Sequence, residues 1–243
     1  MRYSENMPES RNRLIVALDL ADAQAARALV SELGETVSYY KVGKELFTAV
    51  GPSIVRELVD GGKKVFLDLK FHDIPNTVAG AVRSATELGV SMLTVHASGG
   101  YKMMRAAVEA AATGSNHGGP MVLAVTVLTS MAEPDIAEVG IAGSVDGQVQ
   151  KLAALALRAG CGGIVASAQE AARLRLVLGN GFTLVTPGIR PAGTVAADQA
   201  RVVTPEMAIK AGVNYLVVGR PISLAERPAE AARTIIEQIE RAS

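Results

Sequence analysis

Charged residues alternate in the segment Asp68-Leu69-Lys70-Phe71-His72-Asp73, the part of the sequence best suited to chemistry. Asp68 and Lys70 are two residues apart, so in a β-strand their side chains lie on the same face. Acidic and basic side chains are rarely buried without compensating charges, and Lys41 and Asp73 could provide them. Alternating charges stabilise one another. We therefore predict a cluster of two ammonium groups and two carboxylates that can deliver a proton to carbon; a purely structural ion pair is the alternative.

The residues that follow, Ile74-Pro75-Asn76-Thr77, predict the first turn of a helix. Pro75 disfavours helical geometry at Ile74 and suits the first helical position. Asn76 and Thr77 are residue types that can cap such a turn. A capped turn at this place would hold the preceding Asp73 in a fixed direction.

Short β-branched or apolar runs alternate with longer runs of helical periodicity along the whole chain, which indicates repeated βα units and a parallel sheet. Eight such units in 243 residues predict a single (β/α)8 TIM barrel. A doubly wound open sheet is the alternative, but no Gly-x-Gly-x-x-Gly sequence follows the first predicted strand. The predicted strands are Leu14 to Asp19, Val37 to Gly43, Lys64 to Lys70, Ser91 to His96, Met121 to Val127, Gly163 to Ser167, Phe182 to Thr186 and Tyr215 to Gly219.

The runs between these strands predict amphipathic helices, many of which are followed by a glycine that can cap the C-terminus. The predicted helices are Ala21 to Leu33, Ser53 to Asp60, Thr77 to Leu88, Lys102 to Ala112, Asp146 to Ala159, Ala168 to Leu178, Pro205 to Ala211 and Ala229 to Ile239. We expect residues 1–12 to form a flexible N-terminal tail and residues 13–243 to form the barrel. Long loops are expected at residues 113–120, 130–145 and 188–204.

Polar residues recur at the C-terminal ends of the predicted strands, which line the active-site mouth of a TIM barrel. Asp19 ends the first strand, Lys41 lies in the second and His96 ends the fourth. The loops after strands seven and eight often bind phosphate through backbone amides at the start of a short helix. Thr186-Pro187-Gly188-Ile189-Arg190 and Gly219-Arg220-Pro221-Ile222 occupy these two places and supply two arginines. We therefore predict a phosphate site there.

The composition limits the partners and the location of the protein. With 24 basic and 24 acidic residues the net charge is zero, so no long-range field favours nucleic acid or a membrane surface as a partner. No apolar run is long enough to span a bilayer, and the N-terminal residues lack the apolar core of a signal peptide. The single cysteine, Cys161, cannot form an internal disulfide and is expected to be an inert core thiol. We therefore expect a soluble, cytoplasmic protein.

Metal binding is not expected. His72, His96 and His117 are too few and too scattered for a dedicated zinc site, and neither His-x-x-x-His nor Cys-x-x-Cys spacing occurs.

Several motifs together resemble the orotidine 5'-phosphate decarboxylase family in its bacterial form. They are Ala17-Leu18-Asp19, Lys41-Val42-Gly43, the run from Asp68 to Thr77, Thr126-Val127-Leu128-Thr129-Ser130, Thr186-Pro187-Gly188-Ile189-Arg190 and Val218-Gly219-Arg220-Pro221-Ile222. The resemblance spans nearly the whole chain, and the run from Asp68 to Thr77 is its specific part. It implies decarboxylation of orotidine 5'-monophosphate to UMP and CO2, the last step of de novo pyrimidine nucleotide synthesis, without metal or cofactor.

The resemblance also implies a role for each charged residue. Asp68 would lie against the departing carboxylate, Lys70 would protonate ring C6, and Lys41 and Asp19 would contact the ribose. Because no electron sink is available, catalysis would depend on charges that are already in place when the transition state forms.

The same resemblance implies a homodimer in which Asp73, Ile74 and Thr77 reach the partner subunit's site. Thr129 would contact the pyrimidine, and the loop between strands seven and eight would close over the substrate. The other substrate contacts that it implies are Asn76 and Pro187, with Arg190, Gln199, Gly219 and Arg220 at the phosphate. One departure from the family pattern is the plain composition of residues 196–200 around Gln199.

Two other functions stay open at this point. A magnesium-dependent sugar-phosphate decarboxylase or aldolase of the wider superfamily shares the Asp-x-Lys-x-x-Asp pattern, although the continuation Pro75-Asn76-Thr77 argues against it. A catalytically silent barrel that binds phosphate or nucleotide is the other alternative. A silent barrel of this kind would have no reason to keep the charges of Asp68, Lys70 and Asp73, which are costly to bury.

Overall fold

A closed barrel of eight parallel strands in chain order forms the centre of the computed structural model, which describes residues 10–113, 118–191 and 203–243. This is the predicted (β/α)8 TIM barrel. Leu14 pairs with Leu216, so the first and last strands close the sheet. The strands are β1 (Leu14–Ala17), β2 (Tyr39–Gly43), β3 (Lys64–Phe71), β4 (Met92–His96), β5 (Met121–Val125), β6 (Gly163–Val165), β7 (Thr183–Thr186) and β8 (Tyr215–Val218).

Helices surround the barrel, and each predicted helix is present with its ends shifted by at most two residues. The helices of the described chain are α1 (Ala23–Leu33), α2 (Lys44–Val50), α3 (Ser53–Asp60), α4 (Pro75–Glu87), α5 (Gly100–Thr113), α6 (Glu133–Glu138), α7 (Val145–Arg158), α8 (Ala168–Leu178), α9 (Pro205–Lys210), α10 (Arg220–Ser223) and α11 (Pro228–Arg241). Two short helices, α2 and α6, were not predicted, whereas α10 lies where a short helix was expected after the eighth strand.

The prediction of an uninterrupted loop at residues 130–145 is wrong because α6 lies within it. A side-chain contact starts this helix: the Asp135 carboxylate accepts a hydrogen bond from the Ala132 backbone N–H at 2.6 Å. Helix α2 was missed for a different reason. It begins directly after β2 with no turn residues between them and has only seven residues, too few for a clear helical period.

The apolar side chains form two layers, as the two-residue period of a strand requires. Alternate strand residues fill the inside of the barrel. The other residues of the same strands pack outward against the helices and form the larger core. Phe66 therefore faces inward on β3, whereas Val65 and Leu67 face the helices. This alternation determines which side chains can reach the mouth.

The N-terminal end of the barrel is held by Arg13, whose buried guanidinium donates to the backbone oxygens of Val213 and Asn214 at 2.7 and 3.1 Å. Arg13 ends a short 3-10 helix, Ser10–Arg13, that leads into β1. The rest of the predicted tail, residues 1–9, lies outside the described residues.

Cys161 is buried, and burial raises the pKa of its thiol to about 12, so it is an inert core residue at neutral pH.

Helices long and apolar enough to cross a bilayer are absent from the described ranges.

Candidate active site

A cavity of about 540 Å³ opens at the C-terminal ends of the strands. Its size lies within the range of small-molecule sites. Its lining includes four charged residues, Asp19, Lys41, Asp68 and Lys70. The apolar residues of the lining, here called the apolar wall, are Phe66, Val125, Val127, Leu128, Val165 and Val217. A ligand with an uncharged planar ring and charged substituents would match this composition.

The four charged residues form one alternating row. Lys41 Nζ lies 2.7 Å from Asp19 Oδ1 and 3.8 Å from Asp68 Oδ2. Lys70 Nζ lies 2.7 Å from the same Asp68 oxygen. Each internal member of the row therefore has an opposite charge on both sides. The predicted alternation is present within one chain, but its second carboxylate is Asp19 and not Asp73.

The row passes from solvent into the barrel. The side chain of Asp19 is 54% exposed, whereas those of Lys41 and Asp68 are 10% and 13% exposed. Removing one partner of a buried ion pair commonly costs about 3–5 kcal/mol, because the other charge is left uncompensated. Lys41 and Asp68 are therefore strongly coupled, while the contribution of the exposed Asp19 is reduced by solvent.

Strand β3 is irregular where it presents Asp68 and Lys70. Leu67 pairs with Leu93 and Phe71 pairs with Val95, so residues 68, 69 and 70 lie opposite the single residue Thr94. The strand thus carries two extra residues. Side chains alternate between the two faces of a strand, so two extra residues do not change the face on which later residues lie. Asp68 and Lys70 therefore both lie on the inner face, as predicted. Lys70 accommodates the irregularity with a left-handed φ of 52°.

The residues from Asp73 to Thr77 lie outside their own chain's cavity. All five are exposed, and Ile74 is 66% exposed despite its apolar side chain. Asp73 Oδ1 accepts a hydrogen bond from the Ile74 N–H at 2.6 Å, and the described part of the chain holds no ion pair of Asp73 with Lys41 or Lys70. One chain alone does not bring this segment to its own charged row.

The predicted capping of this turn is wrong. Pro75 is the first residue of α4, as predicted, but the preceding Ile74 occupies the N-cap without a side-chain hydrogen bond. Asn76 and Thr77 follow Pro75 inside the helix. These positions lie past the N-cap, the position whose side chain can accept hydrogen bonds from the free N–H groups of the first turn.

The predicted phosphate residues Pro187, Arg190, Gly219 and Arg220 also line the cavity, as does Thr129. Arg220 begins α10 directly after Gly219. The backbone N–H of Arg190 donates to Val203 O at 3.2 Å, which joins the two ends of the predicted 188–204 loop. Gln199, in the middle of that loop, lies outside the described residues.

Two histidines lie beside the charged row. The rings of His72 and His96 have centroids 5.5 Å apart. Burial lowers the pKa of His96, and the nearby His72, Lys44 and Lys70 lower it further, whereas Asp68 opposes the change. His96 therefore favours its neutral form, and the positive charge of this region is concentrated on the lysines.

Sequence reasoning missed three residues at the site. Lys44 is the exposed first residue of α2 and lines the cavity. Gly43 lines it too, and a Cβ built on Gly43 would lie 3.0 Å from Lys41 Nζ. Both directly follow Lys41 and Val42 at a strand end, a position that could have identified them. Thr94 lies behind the charged row, and no motif marked it.

Clusters of three or more histidine, cysteine, aspartate or glutamate side chains that could hold a metal ion do not occur in residues 10–113, 118–191 and 203–243.

Comparison with known proteins identifies the family. The profile of the family described as "Orotidine 5'-phosphate decarboxylase / HUMPS family" matches residues 12–235. Orotidine 5'-phosphate decarboxylase of Idiomarina loihiensis is 53% identical over 227 residues, 93% of this chain and 97% of that protein. The Escherichia coli protein of the same name is 47% identical over 240 residues, 99% of this chain and 98% of that protein.

A solved structure agrees with this comparison. The crystal structure of orotidine 5'-phosphate decarboxylase from Lactobacillus acidophilus superposes with a TM-score of 0.85 at 38% identity, covering 94% of this chain and 99% of that one. The match thus extends over most of the chain. The chain belongs to the orotidine 5'-phosphate decarboxylase / HUMPS family.

Proposed function

We propose that this protein decarboxylates orotidine 5'-monophosphate to UMP and CO2, the last step of de novo pyrimidine nucleotide synthesis. One observation carries the proposal: a row of four alternating charges and two arginines line the same cavity. Relatives that bear this activity in their names are about half identical to the chain over almost its whole length.

The charged row supplies the chemistry in this proposal. The bond between ring C6 and the carboxylate breaks, CO2 leaves, and the electron pair stays on C6. Lys70 Nζ then donates its proton to C6 to give UMP. Asp68, 2.7 Å from Lys70 Nζ, keeps the ammonium charged and directed. Such preorganised charges stabilise a developing anion without rearranging during the reaction, so the reaction needs neither a metal nor a cofactor.

The remaining walls hold the substrate. Arg190 and Arg220 suit the phosphate because guanidinium groups form paired, charge-assisted hydrogen bonds with it. Lys41 and Asp19 contact the ribose, and Thr129 contacts the pyrimidine beside the apolar wall. Binding energy from the distant phosphate can position the ring and favour closure of the 188–204 loop, which carries Gln199.

The active enzyme in this proposal is a homodimer. Asp73, Ile74 and Thr77 reach the partner's site, and their position outside their own chain's cavity, which Asn76 shares, supports this assignment. The exposed Ile74 side chain is suited to an apolar contact with a second copy. Asp73 from the partner would add a second carboxylate near Lys70.

We also propose a cytoplasmic location, which suits a protein with one buried, unpaired thiol.

The decisive experiment follows the ultraviolet absorbance of orotidine 5'-monophosphate with purified protein in the presence of EDTA. We expect the orotate absorbance to disappear and UMP to accumulate at the same rate with and without chelator. Loss of activity with EDTA would favour a magnesium-dependent member of the superfamily. No absorbance change under either condition would favour a silent binding protein.

A further inference from the structure

We propose that Thr94 is a positioning residue that holds Asp68 and Lys70 in their reactive arrangement. This inference rests on the proposed function and adds a residue that does not itself line the cavity. Thr94 lies in the middle of β4 and is 0% exposed. It faces the inside of the barrel, on the same side of the strand as Met92.

The Thr94 hydroxyl joins the two catalytic residues. Its oxygen accepts a hydrogen bond from the Lys70 backbone N–H at 2.9 Å. The hydroxyl donates its single proton to Asp68 Oδ1 at 3.0 Å. One hydroxyl can do both at once, because it has one donor and two acceptor lone pairs. The same group therefore contacts the backbone of one catalytic residue and the side chain of the other.

The irregularity of β3 explains why this contact is needed. Residues 68 to 70 lie opposite Thr94 alone, so Lys70 has no regular strand partner for its N–H. Lys70 also adopts φ 52°, a left-handed conformation that residues with a Cβ adopt infrequently. A buried N–H must find a partner elsewhere, and the Thr94 oxygen provides it. The contact favours the left-handed backbone that directs the Lys70 side chain inward.

The second hydrogen bond determines how Asp68 is oriented. Thr94 occupies Oδ1, which leaves Oδ2 for Lys70 Nζ at 2.7 Å and Lys41 Nζ at 3.8 Å. Both carboxylate oxygens thus have defined partners. Without the hydroxyl, the carboxylate could rotate and Lys70 could relax its backbone, and a small displacement of a proton donor is enough to slow its transfer.

Thr94→Val tests this role because it replaces the hydroxyl with a methyl group of the same size. We expect kcat for orotidine 5'-monophosphate to fall by about 10- to 100-fold, within the range of proton-transfer effects, with KM changed by less than about threefold. Thr94→Ser keeps the hydroxyl and should retain kcat within about fivefold. Thr94→Ala should lose kcat as Thr94→Val does, and it serves if the valine variant does not fold.

Thr86→Val is the matched control, since it also removes a buried threonine hydroxyl, one that donates to Val82 O within α4. It should lower the melting temperature and leave kcat unchanged. Equal kcat values for Thr94→Val and wild type, or an equal loss in Thr94→Ser, would overturn the positioning role.

A crystal structure of Thr94→Val, or of Thr94→Ala, tests the contact without any assay. We expect Lys70 to leave its left-handed φ or its Nζ to move away from Asp68 Oδ2. Unchanged Lys70 and Asp68 would overturn the inference. If wild-type protein does not decarboxylate orotidine 5'-monophosphate, the proposed function fails, while this structural comparison still decides the role of Thr94.

Discussion

Lys70 Nζ lies 2.7 Å from Asp68 Oδ2, although the Lys70 backbone is left-handed and the strand carries two extra residues at this point. The ammonium is thus held at the cavity by a carboxylate only two residues away. The other end of the carboxylate is bound by Thr94. In the proposed mechanism, this arrangement positions Lys70 to donate a proton to a bound ring.

Substitution of Lys70 by alanine should abolish UMP formation and leave the protein folded. Proton donation by a positioned side chain commonly contributes about 10²- to 10⁴-fold to a rate, and the cavity lining offers no replacement bound to Asp68 at the same distance. The absorbance assay measures the loss, and circular dichroism with a melting curve confirms folding. Substantial activity in a folded Lys70→Ala protein would contradict the mechanism.

Gly43→Ala should impair the charged row without straining the backbone. The added Cβ would lie 3.0 Å from Lys41 Nζ and 3.1 Å from Asp19 Oδ1, while the φ of −94° is acceptable for alanine. Overpacking typically costs about 1–3 kcal/mol. If the ion pair moves to relieve the contact, kcat/KM should fall by about tenfold, equivalent to about 1.4 kcal/mol.

Gly181→Ala is the control for this change, because its Cβ would meet nothing within 4 Å. Steady-state kinetics should show wild-type values for Gly181→Ala. Wild-type kinetics in Gly43→Ala as well would show that the ribose contacts do not depend on the Lys41 and Asp19 pair.

Arg220→Ala should weaken phosphate recognition selectively. A hydrogen bond to a charged group contributes about 1.5–3 kcal/mol, so kcat/KM for orotidine 5'-monophosphate should fall by about 10- to 150-fold. Turnover of orotidine, which lacks the phosphate, should change little. Arg233→Ala, on the exposed side of α11, is the control and should leave both values unchanged. Equal losses for the two substrates would place Arg220 outside the phosphate site.

Active sites shared between subunits should be detectable by mixing inactive variants. Lys70→Ala and Asp73→Ala should each be inactive alone. A hybrid dimer has one site with both Lys70 and Asp73, so random exchange should restore about one quarter of the wild-type activity in an isologous dimer. The mixture is measured after reversible dissociation, and wild-type protein treated in the same way is the control. No recovery would indicate that Asp73 acts within its own chain, and activity of Asp73→Ala alone would indicate that Asp73 is not needed.

His96 should make the stability of the protein depend on pH below neutrality. Burial lowers its folded-state pKa below the usual value of about 6.5, with contributions from His72, Lys44 and Lys70 that exceed the opposing effect of Asp68. As pH falls below about 6.5, the unfolded chain therefore binds a proton at this residue that the folded chain resists. The free energy of unfolding should decrease until the lowered folded-state pKa is reached.

Urea unfolding of wild type and His96→Asn between pH 8 and pH 5 measures this effect. The two proteins share every other titrating group, so the stability of wild type relative to the variant should decline as pH falls. A difference that does not change with pH would contradict the lowered pKa.

Much of the fold could be predicted because it depends on local periodicity. Short β-branched or apolar runs marked the strands, and glycines such as Gly34 and Gly179 marked helix ends where φ is positive. The order of the barrel followed from repeated βα units. Helix α2 and helix α6 were not predicted, since their short sequences contain too few turns to show a period.

The sequence by itself determined that Asp68 and Lys70 share a face, that Lys41 lies in a strand, and that Asp19, Arg190 and Arg220 lie near the C-terminal ends of strands. These are local consequences of strand geometry and of the barrel's shape. Only the tertiary structure decided that Asp19, rather than Asp73, completes the row within one chain, and that Thr94 joins Asp68 to Lys70 across an irregular pair of strands. Those contacts connect residues that are far apart in the chain, so they exist only after closure of the barrel sets the register between neighbouring strands.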